Sequence, residues 1–456
     1  MIVPDFEPRA SGFAAVLRQV LEPAGLILLA AALVAGPLYY PYLYYHQYWY
    51  VAAEAGACLA GAAAVLHALA RAGRRRSPPA FMTAPLELTP AAAWRPAAEA
   101  RRAAAWVPAG VFGGYAAYAT WTFANSFRGL WPAKAWSEWA FIIACGLAAF
   151  AAYRFSGGPG RAGWTLLLCA AGPVAVAWVG LEQYAALHDW STREITRIWS
   201  TTGNANTLSG YLAASLPVAA AMACARRGWR RWVWAAAAVV LATAILLSYT
   251  RGGWYAVLAA LVLLALWVDR RLLLWLAVYV VAANAVFPGV LSRAASGLNP
   301  EEVGTFQQRL QLWATAYYMW RDHPWVGVGT GDYVPLTPEY VARHPEIDRG
   351  LRNREPHNSY LKTLAEQGLF GLVLLLGPLV LWWRALLFAW RQARPGPRRA
   401  LLGGLAAGSL AVAVHCLSNS VLHDYRSALG FWPYVGLGLR LIVDPAAMEA
   451  DDAFPL

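Results

Sequence analysis

Long apolar runs recur along the chain, near 23–45, 48–70, 103–123, 137–153, 164–183, 207–224, 232–249, 253–268, 272–290, 366–388, 400–420 and 427–442. A helix needs about 20 such residues to cross a hydrocarbon core about 30 Å thick. The pattern therefore predicts an all-α polytopic membrane protein with about 12 transmembrane helices. Only His46 and Gln47 part the first two runs, so they read as a helical hairpin. The longest polar interval, 291–365, falls between the ninth and tenth runs. The chain thus divides into spans 1–9 (1–290), one large extracytoplasmic loop (291–365), and spans 10–12 with a cytoplasmic tail (366–456). Within the loop, Leu310, Trp313, Tyr317 and Trp320 recur at helical spacing and predict an interfacial helix over 306–321. The Pro- and Ala-rich segment 77–102 reads as a cytoplasmic linker.

Composition sharpens this. Apolar residues make up 59% of the 456 and charged residues only 14%, against roughly 25% charged in soluble domains. The apolar stretch near 25–45 exceeds a signal-peptide core and is followed by further runs, so an uncleaved first helix is expected. The net charge of +12 is almost all arginine, for Lys134 and Lys362 are the only lysines. The arginines gather after runs 2, 4, 6, 8 and 10, as Arg71–Arg76, Arg154/Arg161, Arg226–Arg231, Arg270/Arg271 and Arg391–Arg399. The positive-inside rule makes that side cytoplasmic, in contact with membrane lipids rather than nucleic acid. Cys58, Cys145, Cys169, Cys224 and Cys416 lie in or beside apolar runs without metal-ligand or disulfide spacing.

Three residues on the opposite, outer side could carry chemistry. Arg251 sits in the turn Ser248-Tyr249-Thr250-Arg251-Gly252-Gly253. It either snorkels or meets an anionic headgroup, whose phosphate its planar fork would suit. The adjoining glycines would let backbone N–H groups approach the same oxygens. Arg309, on the interfacial helix, is either a lipid-surface contact or a second phosphate ligand. His357, just before the tenth run, is either structural or a base active near neutral pH. Its position beside a rigid span favours it over His188, His323, His344 and His423. Secondary candidates are Arg193, Arg197, Asn204 and Asn206. His423, Asp424 and Arg426 form either a relay or, the favoured reading, a satisfied polar turn. Charges within spans (Glu54, His67, Glu138, Glu182, His415) are fewer than a proton-coupled pump would show.

His357-Asn358, nine residues, Gly368, two residues and Gly371 resemble the HN-x9-GxxG signature of the O-antigen ligase family, which also includes O-antigen polymerases and O-oligosaccharyltransferases. Four further strings are similar to family segments in family order: Gly203-Asn204-Ala205-Asn206, Tyr249-Thr250-Arg251-Gly252-Gly253, Gln308-Arg309-Leu310-Gln311-Leu312-Trp313, and the His323-Pro324 stretch with Gly327, Gly329 and Gly331. Leu372 stands where the ligase signature often has threonine, which weakens the choice of ligase over polymerase, although the HN-x9-GxxG string still matches ligase best.

The resemblance implies a GT-C-like inverting glycosyltransferase in the bacterial inner membrane, its active site facing outward. Its donor would be a glycan on polyprenyl (undecaprenyl) pyrophosphate. The acceptor hydroxyl would belong to lipid A–core for a ligase, a second lipid-linked repeat for a polymerase, or a protein Ser/Thr. By the same resemblance, His357 would deprotonate the acceptor, and Arg251 and Arg309 would bind the pyrophosphate with Arg197, Asn204 and Asn358. No metal or other cofactor is expected. Two rivals are a lipid-linked oligosaccharide transporter and a cell-wall glycan polymerase using an acidic residue among Glu301, Glu302, Asp322, Asp332 and Glu346.

Overall fold

A computed structural model describes residues 96–158, 160–189, 195–287, 289–296, 304–347 and 354–447. The hairpin expected over 23–70 lies outside the described residues. Those described form α-helices and short 3-10 turns, with no strand among them.

Helices α1 (Pro96–Ser126), α2 (Pro132–Phe155) and α3 (Arg161–Leu187) cover the third to fifth apolar runs. The backbone is already helical at Pro96, inside the expected linker. The sixth run is interrupted at Ala213 and Ala214, giving α4 (Ala205–Leu212) and α5 (Ser215–Ala225). Next come α6 (Gly228–Leu247), α7 (Arg251–Trp267) and α8 (Arg271–Val286). The interval read as a loop contains α9 (Val290–Ser296), α10 (Gly304–Asp322) and α11 (Tyr333–Arg343). The chain continues through α12 (Ser359–Gln392), α13 (Pro397–His415), α14 (Tyr425–Leu429) and α15 (Trp432–Val443). Five of these stretches are long and apolar enough to cross a membrane: α2, α3, α4 with α5, α6 and α12. Helices α7 and α8 are apolar but shorter.

The interior is built on α13 and α15, which are buried on nearly every face. Helix α13 packs on α5, α7 and α12, and α15 packs on α2. Outward faces are apolar too: Val239, Leu274, Trp275, Val281 and Val286 are exposed. So broad an apolar surface suits lipid as its solvent.

The α12 boundary departs from the sequence reading. The helix begins at Ser359 rather than near 366 and is broken at Gly368 (φ 67°, ψ −167°). Residues 359–367 are too polar to read as a span, yet protein buries Ser359, Lys362, Thr363, Glu366 and Gln367 there. The segment 324–329 fills the break. Leu369 N donates to Pro324 O (2.9 Å) and Phe370 N to Trp325 O (3.2 Å), while Val328 N donates to Ala365 O (2.9 Å) and Gly329 N to Glu366 O (3.0 Å). Gly327 (φ 69°) and Gly368 interlock here. A Cβ on either would lie 2.3 Å from a carbonyl carbon, of Glu366 or of Trp325. Two motifs distant in sequence are therefore one structural joint.

Helix α10 covers the expected interfacial segment and buries Leu312, Thr315, Ala316 and Met319. Met319 and Ala316 pack with Tyr333, Tyr340 and Ala365. Leu310 and Tyr317, from the stripe assigned to the membrane, are left exposed.

Gly368→Ala should destabilise the protein by about 3 kcal/mol or more, because it adds a forced left-handed conformation to a backbone clash. Gly377→Ala, whose Cβ would meet nothing within 4 Å, should not destabilise it. Thermal unfolding in detergent checks the pair, and equal midpoints would contradict the interlock.

Candidate active site

The turns at 195–204, 248–250, 354–358 and 416–424 share one end of the bundle. His357 leads into α12 with a left-handed backbone (φ 49°). Asn358 caps α12 by accepting from Tyr360 N and Leu361 N (both 3.0 Å), and its Nδ2 donates to Leu417 O (3.1 Å). Ser359 N donates to Cys416 O (2.9 Å) and its hydroxyl to Asn419 O (3.3 Å). The Asn419 side chain lies beside the His357 ring and favours its charged form. Trp313 Nε1 donates to Pro356 O (2.9 Å), which ties α10 to the turn. Arg309 lies one helical turn before Trp313, on the same face of α10, and so comes within electrostatic reach of His357.

Among the described residues three non-glycines have positive φ: Ser200, Tyr249 and His357. Tyr249 lies two residues before Arg251, and His357 is itself a candidate. Such conformations cost of order 1–3 kcal/mol each and persist where surrounding structure enforces them.

Arg197 Nε donates to Ser248 O (3.0 Å), and its Nη2 reaches Asn206 Oδ1 (3.4 Å) and Thr250 Oγ1 (3.5 Å). Arg197 is thereby laid across the turn that ends at Arg251, the first residue of α7. Gly252 and Gly253 allow close packing. Added Cβ atoms would fall 2.0 Å from Ser418 Oγ and 1.8 Å from Ser209 Oγ, with His415 close behind. Asn204 uses its side-chain oxygen to cap α4, accepting from Asn206 N (2.8 Å) and Thr207 N (3.4 Å). Both asparagines thus shape the turns that present the arginines and His357.

Burial lowers the pKa of Arg197, and so, next in order, do Arg293, Arg251 and Arg309. Burial and then Arg251 lower that of Arg293 and likewise that of Arg309. Arg197 therefore feels the charge of the other three, and Arg251 reaches both Arg293 and Arg309. Arg293, on α9, was missed from sequence: it is a single arginine in Leu291-Ser292-Arg293-Ala294, with no motif around it. His357 is held below the ordinary histidine pKa by burial first and then by Arg309, with Arg354 adding to the effect, while Glu355 and Asn419 oppose it. Its neutral form, which can accept a proton, is favoured.

A second cluster lies behind His357, and sequence reasoning missed its assembly. Lys362 Nζ donates to Glu355 Oε1 (2.9 Å) and Glu138 Oε1 (3.0 Å), with Glu366 Oε1 at 4.0 Å. Lys134 also pairs with Glu138, at 3.5 Å. Both lysines of the chain meet here. Burial would raise the Glu355 carboxyl, but the Lys362 ammonium outweighs it and holds the group at about 2. Glu366 Oε1 also accepts from Tyr333 N (3.3 Å). The cluster fixes the strand of chain two residues before His357.

His423 and Asp424 are hydrogen-bonded within the polar turn. His423 Nε2 hydrogen-bonds Thr363 Oγ1 (3.1 Å), and Asp424 accepts from Thr207 Oγ1 (2.5 Å) and Arg426 N (3.0 Å). Among the acidic residues weighed for the rival polymerase, Asp332 accepts from Leu130 N (2.7 Å) and Trp131 N (3.3 Å). No group of three or more His, Cys, Asp or Glu suited to a metal ion occurs among the described residues. Where three carboxylates do converge, the Lys362 ammonium occupies the cation's position.

A bundle of apolar helices with so apolar an outer surface is a multi-pass membrane protein. Residues 236–376 match the family model described as O-antigen ligase. The chain carries an O-antigen ligase family domain over that segment, which includes Arg251, Arg293, Arg309, His357 and the Gly368 break. A domain of that family suggests an enzyme of the membrane glycosyltransferase type. No curated protein matches the chain.

Lys362→Met should destabilise the protein by about 3 kcal/mol or more, because it strands buried carboxylates without their cation. A thermal midpoint equal to wild type would contradict a structural role for the cluster.

Proposed function

We propose that this protein moves a glycan from polyprenyl pyrophosphate to an acceptor hydroxyl on the outer face of a bacterial inner membrane, as an O-antigen ligase joining O-antigen to lipid A–core. The carrying observation is the electrostatic grouping of Arg197, Arg251, Arg293 and Arg309 beside His357. Gathering like charges in a part-buried site is unfavourable unless a polyanion joins them. A lipid pyrophosphate has that charge, and guanidinium forks suit its oxygens.

In this reading an imidazole nitrogen of His357 takes the acceptor's hydroxyl proton. The freed oxygen attacks the anomeric carbon of the donor sugar. The bond from that carbon to the pyrophosphate oxygen breaks with its electron pair, and the configuration inverts. Charge grows on the departing pyrophosphate as the bond stretches, so arginines already in place stabilise the transition state more than the ground state. Neither metal nor cofactor has a part in these steps.

Purified protein in lipid should transfer glycan in the presence of a chelator. His357→Ala should lower the rate by at least about 100-fold, the lower end of general-base contributions. Undiminished transfer by the variant would refute the base assignment, and loss with chelator would refute the metal-free reaction. Lipid A–core, donor alone and a Ser/Thr peptide, offered separately, distinguish ligase, polymerase and protein glycosylation.

The pH profile has a definite sign. The active base is neutral, so kcat/KM should rise with pH through the His357 pKa and level off above it. Arg309 depresses that pKa and Glu355 raises it. Arg309→Gln should therefore move the acidic limb to higher pH, and Glu355→Gln to lower pH. A limb that stays in place in both variants would contradict the assignment.

A further inference from the structure

The opposite end of the bundle carries a separate basic feature. There α5 turns into α6, α7 into α8, and α12 into α13. Between these turns lie two cavities of about 400 and 530 Å³ that share Ala225 and Gly396 in their walls. Arg226, Arg227 and Arg230 line one cavity, and Arg399 lines the other. Asp269 is the acidic residue in their walls. The sides facing them are thus predominantly cationic.

The arginines are not simply a solvated surface run. Arg226 is only 9% exposed. Trp267 and Trp390 stack with centroids 5.1 Å apart and planes at 29°, and the Arg399 guanidinium lies 4.9 Å from the Trp390 ring centre. Stacking fixes the plane of a guanidinium and leaves its edge N–H groups to meet an anion. Trp229 and Trp232, on the first turn of α6, are 54% and 69% exposed, as tryptophans at a headgroup level are. Helix α7, 17 residues long, separates Arg251 from this end by about 25 Å at 1.5 Å per residue. The feature is therefore distinct from the arginine–histidine site.

We infer that this pair of cavities binds the phosphate headgroup of an anionic phospholipid, held by Arg226, Arg230 and Arg399 on the side of the membrane opposite the candidate active site. Basic recesses between membrane helices suit such headgroups, and each nearby arginine strengthens the attraction. The cavities can admit a headgroup, and the exposed tryptophans mark the depth at which one lies. The inference holds whatever the glycan reaction proves to be.

The test is native mass spectrometry of the full-length protein with equal amounts of phosphatidylglycerol and phosphatidylcholine. Wild type should retain phosphatidylglycerol preferentially. Arg230→Gln and Arg399→Gln should each weaken that retention by about fivefold. Asp269→Asn should strengthen it by a similar factor, a gain that misfolding could not produce. This change keeps the side-chain oxygen that accepts from Arg271 N (2.9 Å). Equal retention of the two lipids, or no gain with Asp269→Asn, would overturn the inference. Displacement of phosphatidylglycerol by millimolar inorganic phosphate would also overturn it, assigning the site to a soluble anion.

Discussion

Mutual repulsion among Arg197, Arg251, Arg293 and Arg309 is the constraint on which the rest of the structure depends. Arg197, Arg293 and Arg309 are each opposed by partial desolvation and by the charge of Arg251. Flexible loops would let them drift apart into water. They come instead from four separate places: a tethered segment, the first turn of α7, the short helix α9 and the side of α10. Hydrogen bonds from Arg197 to Ser248, Asn206 and Thr250, and from Trp313 to Pro356, are the tethers that keep cations and base in register.

Rigidity reaches the site from behind. The Gly327–Gly368 joint locks the chain before α11 into the break in α12, and the Lys362 cluster links α2, the turn at Glu355 and the start of α12. His357 sits two residues from one and eleven from the other. Its left-handed backbone is held by Asn358 below and by residues 416–422 alongside. Strain of this kind is sustainable because the hydrogen bonds of Asn358 and Ser359 to residues 416–419 hold the turn on both sides.

Much of this was legible in sequence, because lipid imposes a simple rule. Apolar runs located the helices over the described residues, and clustered arginines separated the two ends. Arg251, Arg309 and His357 were visible as costly residues at span edges, and Arg309 lies within electrostatic reach of Arg251 and of His357. What stayed hidden depends on contacts between distant positions. Lys362 meets Glu138 across 224 residues, and no local pattern announces it. The helix from Ser359 to Gln367 looked like loop because protein, not lipid, buries it. The close packing of Gly252 and Gly253 on Ser418 and Ser209 was equally invisible, because it depends on residues far along the chain. Arg293 had no motif to mark it.

The central claim is that the four arginines form one pyrophosphate site, and equilibrium binding of glycan-free polyprenyl pyrophosphate tests it most directly. Arg293→Gln and Arg309→Gln should each weaken binding by about tenfold or more, as expected for a lost charge-assisted hydrogen bond. His357→Ala should leave it nearly unchanged, since the base serves the acceptor. Full-strength binding by both arginine variants, or equal affinity of wild type for the uncharged polyprenol, would contradict the account.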